Sequence, residues 1–304
     1  MSRAAFLRGA AGAVGALILS GPAKAQDRQA KMLTRPIPSS KEPLPVVGCG
    51  TWQTFHVGAS AAERAPLADV LRVLFEAGGS VIDSSPMYGP AESVAGDLLV
   101  QLQARARAFI ATKVWTAGRE QGIAQMTQSL TRFRGDHIDL MQVHNLLDWR
   151  SHLATLRGWK TEGRIRYLGV THYTPGAYDD LEAVMRAEPL DFVQLNYALN
   201  DRAAEQRLLP LATDRGIAVI VNRPFGGGGL LKSLIGRPLP DWAGEADCAS
   251  WAQILLKFVL GHPAVTCVIP GTGRPDHMRD NVQAGMGRMP DAALRQRMAA
   301  SIAP

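Results

Sequence analysis

Short apolar runs alternate with longer segments of helical periodicity along most of this chain. Eight of the runs have the length of β-strands, which predicts strands at residues 46–52, 81–84, 109–114, 138–144, 167–171, 192–197, 218–222 and 266–270. Between them, apolar residues recur three or four positions apart, as expected of amphipathic helices. Examples are Leu67, Leu71, Leu74 and Phe75, then Leu153, Leu156 and Trp159, then Ile254, Leu255, Phe258 and Val259.

The unbroken strand–helix repeat predicts parallel strands that are buried on both faces. Eight such units favour an α/β fold that is a single-domain (β/α)8 TIM barrel at residues 46–304, rather than an open doubly wound sheet. No Gly-x-Gly-x-x-Gly motif follows the first predicted strand, which weakens the alternative further. An insertion rich in glycine and proline, at residues 226–249, is predicted to be a lid on the active face.

The first 45 residues have a different character. Residues 1–25 combine a basic start, an apolar stretch of small residues and an Ala-Lys-Ala sequence, which predicts a cleaved export signal and a periplasmic location. The apolar stretch is too short for a permanent membrane anchor. Residues 2–8 resemble a twin-arginine signal with Ala4 in place of the second arginine, so the export route stays open. Residues 26–45 are polar and contain prolines, and we expect them to form a lead-in outside the core.

Charge and cysteine content narrow the classes of partner. The formal charge is +6, and removal of the export signal leaves about +3, which gives little support for a nucleic-acid partner and is compatible with an anionic cofactor. Cys49, Cys248 and Cys267 are too few and too scattered for a metal motif or a disulfide framework. We expect them to be buried and inert, and we predict no bound metal.

Polar residues end three neighbouring predicted strands. Asp83, Lys113 and His144 each stand at or near the carboxyl end of a strand, and Tyr88 lies on the loop after the first of these. The chemistry of a closed barrel takes place at these ends, so we expect the four side chains to meet there. Each one alone has a structural explanation, such as a helix cap or a solvated lysine.

Together, the four residues make a proton donor. The ammonium of Lys113 is expected to lower the pKa of Tyr88, and Asp83 is the counter-ion that holds the lysine in place. His144 is expected to donate a hydrogen bond to a substrate oxygen, which orients it and stabilises developing negative charge. Tyr88 then transfers the proton.

Five sequence motifs resemble those of the aldo-keto reductases and follow that family's order. They are VIDSSPMYG at residues 81–89, ATKVW at 111–115, DLMQVH at 139–144, GVTH at 169–172 and VIPGT at 268–272. The resemblance covers nearly the whole chain after residue 46. It implies reduction of an aldehyde or ketone by hydride transfer from NADP(H), with NAD(H) also possible, and it implies Asp83, Tyr88, Lys113 and His144 as catalytic residues.

The same resemblance assigns binding residues around the barrel mouth. For the cofactor it implies Gly50, Thr51, Trp52, Thr171, His172, Gln194, Asn222, Arg223, Gly271, Thr272, Arg274 and Asn281. The substrate pocket is assigned to Trp52, Trp115 and Asn145, and the two tryptophans have buried core as their alternative.

Several positions depart from the family pattern. His172 stands where asparagine is usual, and Asn222 stands where many members stack a tyrosine on the nicotinamide. Arg223 replaces a small hydroxyl residue and is a candidate to bind the pyrophosphate. Gly271 replaces the lysine that usually meets the 2′-phosphate, for which Arg274 and Thr272 are the candidate substitutes.

Two functional alternatives to carbonyl reduction remain open from the sequence. The same residues would serve oxidation of an alcohol or sugar in the reverse direction. A non-catalytic nicotinamide-binding sensor or partner subunit is also possible, although the intact Tyr88, Lys113, Asp83 and His144 argue against it. The partner in either direction of catalysis is a small carbonyl or alcohol, whereas oligomeric state cannot be read from the residues.

Overall fold

The computed structural model describes residues 31–302. The predicted export signal at residues 1–25 therefore lies outside the described residues. In residues 31–302, no helix has the length and apolar character that crossing a membrane requires. The strands are β1 (Thr34–Pro36), β2 (Pro43–Pro45), β3 (Cys49–Gly50), β4 (Val81–Asp83), β5 (Phe109–Val114), β6 (Ile138–His144), β7 (Ile165–Thr171), β8 (Phe192–Asn196), β9 (Ala218–Asn222) and β10 (Val265–Val268).

Helices follow most of these strands. They are α1 (Ala61–Glu76), α2 (Ala91–Gln101), α3 (Arg119–Arg132), α4 (Trp149–Thr161), α5 (Tyr178–Ala187), α6 (Leu208–Arg215), α7 (Gly229–Leu234), α8 (Trp251–Leu260), α9 (Pro275–Gln283) and α10 (Ala292–Ala300). The apolar residues that predicted helices near 67–75, 153–159 and 254–259 are all buried on α1, α4 and α8.

Strands β3 to β10 form one parallel barrel in chain order. Its seam closes where β3 meets β10, through bridges between Val47 and Val268 and between Gly50 and Gly271. Glycine is needed at Gly50 because a Cβ atom there would lie 2.8 Å from the carbonyl oxygen of Ile269. The predicted (β/α)8 barrel and its eight strands are confirmed.

Side chains alternate between two cores. Along β5, Phe109 and Ala111 point into the barrel, whereas Ile110 and Val114 belong to the larger core between the strands and the helices. Because both faces are covered, every residue of β5 and β6 is buried. This double burial explains the continuous apolar runs in the sequence.

The segment before the barrel closes its lower end, where the strands begin. Strands β1 and β2 pair as an antiparallel hairpin, and Ile37 and Leu44 are buried among the interior side chains of the barrel. The guanidinium of Arg35 donates to the carbonyl oxygens of Leu260, His262 and Val265. The expectation that residues 26–45 lie outside the core is therefore wrong for Ile37 and Leu44, which plug the barrel.

The insertion at residues 226–249 contains α7 and a short 3-10 helix at Asp241–Ala246. Its far end is fixed by the fully buried Lys257, whose ammonium donates to the carbonyl oxygens of Ala246, Met286 and Arg288 at 2.7–2.8 Å. Its near end, at Gly226 to Gly228, has positive φ at all three glycines. That the insertion acts as a lid stays a prediction.

Candidate active site

The barrel mouth, where the strands end, brings the four candidate catalytic residues together. Register places the ends of β4, β5 and β6 side by side. The ammonium of Lys113 donates to Asp83 Oδ1 and to the carbonyl oxygen of Ser84, both at 2.6 Å. Lys113 is fully buried and Asp83 nearly so. Burial alone would lower the pKa of Lys113, but the charge and hydrogen bond of Asp83, together with Tyr88 and Glu92, outweigh burial and raise that pKa above its ordinary value.

The second oxygen of Asp83 is held by two glutamines. Gln194 donates its side-chain N–H to Asp83 Oδ2 at 2.8 Å, and Gln142 donates to the same oxygen at 3.4 Å. The carboxylate thus has partners on both oxygens, which a buried charge requires. Asp83, Gln142 and Gln194 together fix where the ammonium of Lys113 sits.

Tyr88 lies over this ion pair. Its ring centroid is 5.3 Å from Lys113 Nζ. Burial raises the pKa of Tyr88 above its ordinary value, and the positive charge of Lys113 opposes that rise without overcoming it. The expected net lowering of the Tyr88 pKa is therefore wrong, because the cost of burying a phenolate is the larger effect. The phenol stays protonated at neutral pH, which suits a proton donor.

His144 completes the group at the end of β6. Its ring packs edge-on against Tyr88, with centroids 6.0 Å apart, and beside Trp115 at 6.5 Å. Burial and the charge of Lys113 lower the pKa of His144 to about 2. The ring is uncharged at neutral pH, so one ring nitrogen carries a proton and the other does not.

Gln194 is hydrogen-bonded to two other residues assigned to the cofactor, Thr171 and Asn222. Its side-chain oxygen accepts from Thr171 Oγ1 at 3.3 Å and from Asn222 Nδ2 at 3.4 Å. Asn222 Nδ2 also donates to the carbonyl oxygen of His172 at 3.3 Å. The buried Oδ1 of Asn222 has no partner among residues 31–302. A hydrogen-bonded chain therefore runs from Asn222 through Gln194 to Asp83.

Arg223 stands directly after β9 with a positive φ of 51°. Its guanidinium donates to the carbonyl oxygen of Tyr173 at 3.4 Å and lies 5.6 Å from the Tyr173 ring centroid. The ring of Tyr173 stacks in parallel on His172, with centroids 5.6 Å apart. These contacts are exposed, so the guanidinium remains accessible to an anion at the mouth.

The predicted 2′-phosphate and adenine residues lie at β10 and α9. Thr272 and Asn281 are both buried, the latter on α9. The hydroxyl oxygen of Thr272 accepts a hydrogen bond from the backbone N–H of Arg274 at 3.1 Å. Arg274 is exposed and forms a two-point ion pair with Asp276, at 3.1 and 2.5 Å. Gly271, on the seam, brings no side chain to this position, and its candidate substitute Arg274 already has a carboxylate partner.

Of the residues assigned to the substrate pocket, Trp115 packs beside His144 and Asn145 directly follows it. Trp52 and Trp115 are 53% and 40% exposed, which excludes the buried-core alternative for both. Asn145 has a positive φ of 53°, and its buried Oδ1 has no partner in the described part of the chain. Thr51, by contrast, is turned into the protein, where its hydroxyl bonds Ser84 Oγ and the carbonyl oxygen of Asp83.

Sequence reasoning missed two residues of the site. Gln142 contacts Asp83, and Ser85 Oγ lies 3.1 Å from His144 Nδ1. Gln142 had a usable signal, since it lies two residues before His144 on the same strand and so shares its face. Ser85 had none, because its loop position gives no direction for the side chain.

The fold and the site together define a (β/α)8-barrel enzyme with a phenol, a buried ion pair and an uncharged histidine at its mouth. Comparison with known proteins agrees with this class. The model of the Aldo/keto reductase family matches residues 46–297. Methylglyoxal reductase YeaE of Escherichia coli is 30% identical over 245 residues, which cover 78% of this chain and 84% of that protein. The chain therefore belongs to the aldo/keto reductase family of oxidoreductases.

Two further similarities concern cofactors and fold. An NADH-specific methylglyoxal reductase of Escherichia coli is 24% identical, with 82% of this chain and 92% of that protein covered. The structure of an aldo-keto reductase from Klebsiella pneumoniae in complex with NADPH superposes with a TM-score of 0.74. It is 24% identical in sequence, and the match covers 90% of this chain and 96% of that one.

Proposed function

We propose that this protein reduces an aldehyde or ketone to an alcohol with NADP(H), using Tyr88 as the proton donor. The observation that carries the proposal is the buried pair of Lys113 and Asp83, joined at 2.6 Å beneath the Tyr88 ring. The relatives support the reaction class, since two of them are methylglyoxal reductases and another is an aldo-keto reductase in complex with NADPH.

The residues at the mouth fit a nicotinamide dinucleotide. The unpartnered Oδ1 of Asn222 is an acceptor that a carboxamide N–H would satisfy. The exposed guanidinium of Arg223 suits an anionic pyrophosphate. Thr171, His172 and Gln194 would hold the nicotinamide end, and Thr272, Arg274 and Asn281 would hold the adenosine end. When bound, the nicotinamide supplies the hydride.

The protein side of the reaction follows from protonation states. Tyr88 is protonated at neutral pH and is positioned by packing on Lys113 and His144. As negative charge develops on the carbonyl oxygen, the phenol proton moves to it, and the ammonium of Lys113 stabilises the phenolate left behind. The uncharged His144 donates a hydrogen bond to the same oxygen, while Trp52 and Trp115 provide an apolar wall for the carbon skeleton.

The test is consumption of NADPH, followed at 340 nm, with a panel of carbonyl compounds that includes 4-nitrobenzaldehyde and methylglyoxal. Tyr88→Phe keeps the ring that packs on Lys113 and removes only the hydroxyl group that carries the proton. We expect turnover by the native protein and a fall in kcat of at least about a hundredfold in Tyr88→Phe.

Three outcomes would contradict the proposal. Binding of NADPH without turnover of any carbonyl would favour a non-catalytic nicotinamide-binding sensor. No binding of NADPH or NADH would overturn the cofactor assignment itself. Faster NADP+ reduction with alcohols than NADPH oxidation with carbonyls, at matched concentrations, would favour the reverse reaction.

A further inference from the structure

The histidine at the mouth is held from behind by a single hydroxyl group. Ser85 Oγ lies 3.1 Å from His144 Nδ1, and both residues are buried. The other ring nitrogen, Nε2, makes no hydrogen bond within residues 31–302. An uncharged imidazole carries its proton on one nitrogen only, and the partner of the other nitrogen decides which one. The contact with Ser85 therefore decides what His144 can offer at Nε2.

The partners of Ser85 determine the direction of this hydrogen bond. Its Oγ accepts the backbone N–H of Met87 at 3.4 Å, so one lone pair is already used. Among the described residues, His144 Nδ1 is the only acceptor in reach of the hydroxyl proton. If Nδ1 carried the proton instead, Ser85 Oγ would have to accept it with its remaining lone pair, and the proton of the buried hydroxyl would be left without an acceptor among the described residues.

We propose that Ser85 is a positioning residue that holds His144 with its proton on Nε2, and so supplies the donor for the carbonyl oxygen. A chain of donation runs from the Met87 amide to Ser85 Oγ and on to His144 Nδ1. This leaves the Nε2–H bond as the free donor of the ring. The inference rests on the proposed carbonyl reduction, because the Nε2–H of His144 has a role in the reaction only if a substrate carbonyl oxygen accepts its hydrogen bond.

The tautomer can be measured without turnover. Long-range ¹H–¹⁵N correlation spectra of the ¹⁵N-labelled protein distinguish protonated from bare ring nitrogens, and His144→Asn assigns the signals of this ring. We expect Nε2 of His144 to be protonated and Nδ1 to be bare in the native protein. In Ser85→Ala the two tautomers should become mixed, because Nδ1 has lost its donor.

A matched control lies one residue away. Ser84 is equally buried, and its hydroxyl bonds Thr51 rather than His144. Ser84→Ala therefore removes a buried hydroxyl from the same loop and should leave the tautomer of His144 unchanged. Ser85→Thr keeps the hydroxyl and should keep Nε2 protonated.

The kinetic consequence separates positioning from general damage. In Ser85→Ala we expect kcat to fall about three- to tenfold, the effect of one lost hydrogen bond, while the KM for NADPH stays unchanged. A protonated Nδ1 in the native protein, an unchanged tautomer in Ser85→Ala, or an unchanged kcat in that variant would each overturn the proposal. If no carbonyl is turned over at all while Nε2 is protonated, the reaction assignment fails and the tautomer assignment stands.

Discussion

Two lysine–aspartate pairs with the same separation lie at opposite ends of the barrel. At the mouth, Lys113 meets Asp83 at 2.6 Å with side chains 0% and 3% exposed. At the lower end, Lys160 meets Asp191 at 2.6 Å with side chains 41% and 7% exposed. Water reaches the lower lysine and solvates it, whereas the upper lysine depends entirely on the protein. The same pair is therefore a surface contact at one end and a buried charge centre at the other.

The two ends also differ in how completely their polar groups are paired. At the lower end, Asp191 accepts the N–H of Leu168 as well as Lys160, and Asp139 accepts the N–H of Ile110 and Arg166. The buried side-chain atoms without a partner in residues 31–302 belong to Gln142, Asn145, Asn196 and Asn222, at or beside the upper ends of β6, β8 and β9, and to His152, which lies between α3 and α4. Unpaired buried groups need an explanation, and a bound ligand is the natural one at this end.

The largest predicted effect tests the two ion pairs directly. Lys113→Met leaves the buried carboxylate of Asp83 without its counter-ion, so we expect the free energy of unfolding to fall by about 3–5 kcal/mol. Activity should fall by at least about a hundredfold, since Tyr88 loses the charge that stabilises its phenolate. Urea unfolding and NADPH turnover measure the two losses.

Lys160→Met is the matched control at the lower end. Its partner Asp191 keeps the N–H of Leu168 and gains water, so we expect a loss of about 1 kcal/mol or less and unchanged turnover. Equal losses of stability in the two variants would contradict the contrast between a solvated pair and a buried one.

A second prediction concerns the loss of stability at acid pH. His144 has a folded pKa of about 2, against about 6.5 in an unfolded chain. Below pH 6.5 the unfolded chain binds a proton that the folded chain does not, so the free energy of unfolding falls as the pH falls. The share of His144 in this loss between pH 7 and pH 5 is about 2 kcal/mol.

The measurement is urea unfolding at pH 7 and at pH 5 for the native protein and for His144→Asn. The native protein should lose about 2 kcal/mol more than the variant over this interval. Other histidines contribute equally to both proteins and cancel in the difference. The same loss in both proteins would show that His144 accepts a proton in the folded state.

The sequence predicts the barrel well and the details of its mouth less well. Strands such as β5 and β6 are buried on both faces, so their apolar runs mark them almost to the residue. Asp83, Lys113 and His144 were found because a strand end fixes a backbone position, and parallel register brings neighbouring ends together. The plug formed by Ile37 and Leu44 was missed, since two apolar residues among prolines carry no period.

What the sequence could not supply are contacts between side chains from different elements. The bond between Ser85 and His144 joins residues 59 positions apart, and it depends on side-chain direction as well as register. The direction of the shift in the pKa of Tyr88 also depends on how deeply the phenol is buried, which the identity of the residue does not give. The ion pair between Arg274 and Asp276 joins residues only two positions apart, yet the sequence does not predict it, because an exposed side chain can contact any of several neighbours.

The smallest predicted effect concerns cofactor preference. Asp276 holds the guanidinium of Arg274 at two points, and its carboxylate would repel a 2′-phosphate that approaches this arginine. Asp276→Asn keeps the size of the side chain, removes the negative charge and frees Arg274. We expect the KM for NADPH to fall about two- to fivefold, as for a surface ion pair, while the KM for NADH stays unchanged. Because exposed charges are screened by salt, the gain should shrink between low and high ionic strength. An equal change for both cofactors would mean that Arg274 does not meet the 2′-phosphate, and that the preference is set elsewhere at the mouth.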